Sequence, residues 1–161
     1  MPRTALAVLV LLATGDSLVP AAAAAPAKGP DLCAGARALD ALDTRTPLPL
    51  AARMASHQRQ NMREHLLAVQ EIVGGAAIGD FAAVEAAAGK IGFTEEMGRM
   101  CQHMGQGAPG FTEQALKFHH TADGIAAAAR KRDQPEVLRQ LAATLQTCTA
   151  CHATFKQRVV E

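Results

Sequence analysis

The chain has no tryptophan and no tyrosine, and only five phenylalanines among its 161 residues. It is rich in alanine instead, so its helices form readily but bury little apolar area per residue. Neither sign of charge is in excess: 16 basic against 15 acidic side chains leave a formal net charge of +1. That balance, with no basic run, argues against nucleic acid as a partner. No apolar run is long enough to span a bilayer. No segment alternates with period two for long enough to predict a strand. There is no carboxylate pair, no Ser-His arrangement and no phosphate-cradling glycine loop, so no substrate-converting enzyme is expected.

What is present begins with a targeting pattern. Met1-Pro2-Arg3 carries one positive charge, Leu6 to Leu12 is a short apolar core, and Pro20 to Ala27 offers Ala-x-Ala cleavage sites. This predicts a signal peptide over residues 1–25, cleaved within 22–27. The residue before Cys33 is Leu32, which does not suit a lipoprotein cleavage site. The mature product, about 135 residues, suits one domain exported to the periplasm without membrane insertion.

The chemistry is concentrated at the other end, in Thr147-Cys148-Thr149-Ala150-Cys151-His152. Cys-x-x-Cys-His is the pattern of covalent haem c attachment: two thiols add to the porphyrin vinyls and the adjacent imidazole becomes the proximal iron ligand. On a helix advancing about 100° per residue, Cys151 lies about 60° to one side of Cys148 and His152 about 40° to the other. The apolar residues Leu138, Leu141, Leu145, Phe155 and Val159 share that face if the helix runs over 135–159. A zinc site needs two further ligands at similar spacing, and no second Cys-x-x-Cys or His-x3-His exists. A redox dithiol normally opens a helix after a strand, whereas this motif closes a long helix.

The remaining pattern predicts an all-α chain. A short N-terminal appendage over 31–46 carries Leu32, Ala36, Leu39 and Leu42 on one side and ends at the extended joint around Pro47 and Pro49. A long helix from about Leu50 to Val73 stops at Gly74-Gly75, with Met62, Leu66, Val69 and Val73 as its apolar stripe and Arg59, Arg63, Glu64 and Gln70 on the solvated side. Asp80 caps a second helix carrying Val84, Ala88 and Ile91, broken at Gly92 and resumed after Thr94. A glycine-rich loop over 105–110 precedes a third helix, 112–132, with Phe111, Ala115, Phe118, Ala122, Ile125 and Ala129 stepping along one side. Asp133-Gln134-Pro135-Glu136 opens the last helix as a capping box. Four long amphipathic helices over 49–161 predict an antiparallel four-helix bundle.

The C-terminal Leu-Gln-Thr-Cys-Thr-Ala-Cys-His-Ala-Thr-Phe-Lys resembles the cytochrome c′ family, and within it the low-spin, methionine-ligated relatives. In that family an aromatic and a basic residue follow the motif, and Phe155 and Lys156 stand in those places. Arg59 and Met62 are similar to the family's pair on the first helix, an arginine about one turn before the residue that approaches the distal face of the iron. The spacing is three here where it is often four. The resemblance implies an electron-transfer cytochrome with His152 and Met62 as axial ligands, periplasmic redox proteins as partners, and a homodimer through the first two helices. High-spin members imply the alternative, a five-coordinate protein binding NO or CO or acting as a gas sensor.

Other ligand sets follow from residue type alone. His65, one turn beyond Met62, would give a bis-imidazole site, and Met54 and His57 lie two turns earlier. Met97, Met100, Cys101, His103 and Met104 are soft donors suited to Cu(I), or a core stripe with one polar flank. His119 and His120 point in different directions, one inward and one to solvent. Cys33 and Cys101 are left over as either a disulfide or two separate buried thiols.

Overall fold

The computed structural model describes residues 32–161, with side chains from Gly35 onward. The expected signal segment lies outside the described residues, as does the side chain of Cys33. The chain divides into two units, one ending at Leu42 and one spanning Asp43–Glu161. The first unit contributes α1 (Leu32–Leu42), on which Leu39 and Leu42 are exposed.

In the larger unit the order is β1 (Thr46–Ala51), α2 (Ala52–Ile78), α3 (Phe81–Gly89), α4 (Glu95–Met104), α5 (Phe111–Arg130), α6 (Gln134–Thr154) and β2 (Phe155–Val160). The architecture is mostly helical. Three helix starts follow from local chemistry. Asp80 accepts from the Ala83 amide at 3.0 Å, the Thr94 hydroxyl from Met97 at 3.1 Å, and Asp133 from Glu136 at 3.0 Å, each satisfying an amide that the first turn leaves unpaired.

Two strands appear where none was expected. β1 pairs with β2 in parallel, from Thr46 against Phe155 to Ala51 against Val160. Pro47 and Pro49 lack amides, but a strand with one neighbour needs only its other amides for the ladder. The last helix accordingly ends at Thr154, not near 159, and Phe155 continues in extended conformation. Pairing between segments more than a hundred residues apart leaves no periodic trace in either one.

The first long helix does not stop at Gly74-Gly75. It continues to Ile78 and ends on Gly79, whose φ of 73° provides the left-handed turn that favours glycine. Gly75 is buried because α3 passes close: an added Cβ would lie 3.0 Å from both the Asp80 carbonyl oxygen and Val84 Cγ2. The buried line of α2 is therefore Ala68, Ile72, Gly75 and Ala76. The larger residues of the expected stripe lie beside it. Met62 is 38% exposed, Leu66 69% and Val73 50%. Small side chains let α2 and α3 approach closely, and the bulky ones are displaced from that contact.

The expected faces hold better elsewhere. Val84, Ala88 and Ile91 are buried, as are Phe111, Phe118, Ala122, Ile125 and Ala129 of α5. α6 packs chiefly on α5, α5 on α3 and α3 on α2, whereas α2 and α6 meet only thinly. Replacing Gly75 by alanine should destabilise the protein by about 1–2 kcal/mol through overpacking, despite better helix propensity. Gly74→Ala, with nothing within 4 Å of the new methyl, should stabilise by up to about 1 kcal/mol. Urea unfolding of the two variants should move in opposite directions.

Candidate functional site

Among the described residues the buried ones form two clusters. One joins Ala68, Ile72, Val84, Phe118, Ile125, Val137 and Leu141 with their alanine neighbours. The other joins Leu48, Leu50, Ala55, Met104, Ala108, Phe111 and Phe155. Between them three helices lack a fully buried side chain: α2 from 56 to 67, α5 from 112 to 117 and α6 from 145 to 154. The motif lies in this interval. Cys148 packs against the first cluster and Cys151 against the second, so the pair straddles the gap.

Both thiols are half-buried, and burial raises their pKa values, that of Cys151 further through its neighbour Cys148. They are protonated at neutral pH, which is the reverse of an activated redox dithiol. The imidazole of His152 is exposed, and its backbone carbonyl accepts from Arg45 Nη1 at 3.2 Å. Leu145 and Leu138 are 40% and 49% exposed on α6, where Leu141 is buried; of the residues expected on that face beyond the helix, Phe155 is buried at the start of β2. Val159 lies on β2 and is exposed.

On α2 the candidates separate. Met62 lies in the stretch of α2 without buried residues and is 38% exposed. His65 is half-buried, stacks on Phe118 at 4.8 Å between ring centroids and meets His119 edge-on at 5.6 Å. Desolvation, with the neighbouring His119 adding to it, pulls the His65 pKa down to about 4. Its imidazole is neutral at pH 7 and therefore has a lone pair available. His57 is exposed, and Met54 packs against the second cluster. Arg59 reaches away to β2, where Nη1 donates to Gln157 Oε1 at 2.6 Å, and Gln157 in turn donates to the Ala55 carbonyl at 3.0 Å.

Phe155 is buried edge-on against Phe111 at 5.4 Å. Lys156 donates to the Asp43 carbonyl at 2.9 Å, and its ammonium lies 3.7 Å from the Asp43 carboxylate. Asp43 and Arg45 carried no signal in the sequence. The bond from Arg45 to the His152 carbonyl spans 107 positions, and only the strand pairing brings it about.

The soft donors of α4 point in several directions. Cys101 and Met104 are buried, Met97 and Met100 half-buried and His103 exposed. Burial pushes the Cys101 thiol up to about 11, which opposes thiolate ligation. Cys101 is a free thiol. The two adjacent histidines divide as expected. His119 is 3% exposed, with Nδ1 2.8 Å from the Ile91 carbonyl oxygen, and His120 stacks on Phe93 in solvent. A separate groove of about 330 Å³ between α5 and α6 is lined by Gln114, Lys117, Gln146 and Thr147, and by neither thiol of the motif.

No protein-family model, curated protein or solved structure matches the chain. Among the described residues no helix is long and apolar enough to cross a membrane.

The low pKa of His65 has a consequence for stability. The unfolded chain binds a proton near pH 6.5, whereas the folded one resists it until about pH 4. Stability contributed by the neutral ring is complete above pH 6.5 and is lost as the pH falls toward 4. The loss should approach roughly 3 kcal/mol by pH 4. In His65→Leu, urea midpoints measured between pH 7 and 4 should decline less steeply than in the wild type.

Proposed function

We propose that the chain carries single electrons in the periplasm through one covalently attached haem c, held by Cys148 and Cys151, with His152 and Met62 as axial ligands. The observation that carries this reading is the coincidence of the Cys-x-x-Cys-His turn with the gap between the two buried clusters. When bound, the haem supplies a one-electron couple at its iron.

The residues present fit such a group. Two protonated thiols face a space that this core, poor in large side chains, leaves uncovered. Apolar side chains are exposed on the two helices that would hold the haem, Met62 and Leu66 on α2 and Leu138 and Leu145 on α6. Covering them with a flat apolar group would bury surface that is otherwise left to water. In this arrangement the chain's own task is to exclude water, to fix the two ligands and to set the potential through burial and ligand type. Retaining both ligands in both oxidation states keeps reorganisation small. We read the helices accordingly as a four-helix bundle of the cytochrome c′ kind, α3 and α4 together forming one of the four, and redox proteins of the same compartment as partners.

A second reading of the distal ligand is favoured by the position of His65. It lies nearer the buried side of α2 than Met62, and its neutral ring is competent to coordinate. A thioether favours ferrous iron and raises the potential, whereas a second imidazole lowers it.

The test begins with the mature protein from a host competent in cytochrome maturation. Its mass should exceed that of the bare polypeptide by one haem, and Cys148→Ala/Cys151→Ala should abolish the increment. The visible spectrum should be low-spin. Met62→Ala should convert it to high-spin with ready carbon monoxide binding, while His65→Ala leaves it low-spin. The converse outcome assigns His65, and a high-spin wild type would favour gas binding over electron transfer.

A further inference from the structure

We infer that Arg45 is a positioning residue for His152, acting through the backbone of the last turn of α6; this rests on the haem reading above. A helix leaves its final carbonyls without intrahelical partners, and those of α6 lie beside the motif. The Cys151 carbonyl takes the amide of Phe155. The His152 carbonyl takes Arg45 Nη1 at 3.2 Å. The peptide that follows the proposed proximal ligand is thus held by a cation from the opposite end of the unit.

Arg45 has little freedom to do anything else. Its Nε donates to Asp43 Oδ1 at 2.9 Å and its Nη2 to Asp43 Oδ2 at 2.7 Å, a two-bond fork that aims the third nitrogen at His152. The Arg45 amide also donates to Asp43 Oδ1, at 3.1 Å. Asp43 is gripped in turn by Lys156, from the first pair of residues beyond the helix. One residue after Arg45 the strand ladder begins, Thr46 opposite Phe155, which fixes the distance from guanidinium to helix end. Three constraints therefore converge on one carbonyl: the fork, the lysine and the ladder. A lysine at position 45 could donate one bond but could not make the fork. A positive group at a helix C-terminus also complements the helix dipole.

The experiment uses the haem-bearing wild type beside Arg45→Ala, Arg45→Lys and Asp43→Asn. Each is examined by ferric electron paramagnetic resonance, midpoint potential and thermal unfolding. Arg45→Ala should keep its haem but give a broadened or split resonance and a shifted potential, because the ligand samples more than one orientation. Arg45→Lys should restore part of both. Asp43→Asn, which loosens the anchor while leaving the guanidinium, should move both in the same direction as Arg45→Ala, and it substitutes for that variant if the alanine protein does not fold. Resonance and potential identical to wild type in Arg45→Ala and Asp43→Asn, whatever happens to the melting temperature, would overturn the inference. A wild-type protein that carries no haem overturns the underlying reading instead, and that is seen before any variant is made.

Discussion

Two thiols one helical turn apart reach into two different clusters, and the rest of the unit is arranged around that division. Cys148 rests on the group built from α2, α3, α5 and α6, whereas Cys151 rests on the group built around β1, Phe111 and Phe155. The groups do not merge because three helices have no fully buried side chain in the interval between them. A core of alanines, with few aromatic side chains, packs closely but lacks the volume to close such an interval. The covalently held haem proposed above is an apolar group that would use both thiols and lie between the two clusters.

Closure of the unit depends on its two ends. β1 and β2 bring residues 46–51 against 155–160, beside the end of the helix that carries the motif. Gln157 holds the start of α2 through the Ala55 carbonyl and Arg59, while Asp43, Arg45 and Lys156 hold the end of α6. The helices that would contribute the two axial ligands are therefore referenced to one small ladder. A distance between ligands maintained in this way depends little on the thin direct contact of α2 with α6.

Helix starts were legible because capping is local. Asp80, Thr94 and Asp133 each reach an amide three residues on, and the pattern of residue types is sufficient to find them. The inward faces of α3 and α5 were legible as well, since their apolar residues step in phase with the helix. The face of α2 was not. Periodicity gives weight to large side chains, so it selected Met62, Leu66, Val69 and Val73, of which only Val69 packs against the core, while the buried positions are Ala68, Ile72, Gly75 and Ala76. Gly74-Gly75 reads as a stop by composition, yet Gly75 is there for close approach and Gly79 makes the turn. The strands were invisible for a different reason: Phe155–Val160 is extended only because β1 lies beside it.

The amino-acid pattern alone determined the thiols and imidazole of the motif, their common side of a helix, the largely helical class and the capped starts, all of which depend on neighbours within a few residues. Only the tertiary structure decided that the motif lies across a divided core, that His65 rather than Met62 is packed against Phe118, and that Arg45 meets the carbonyl of His152. Those facts depend on which distant segments come together, and the energy that selects them is spread over contacts that no single stretch of chain contains.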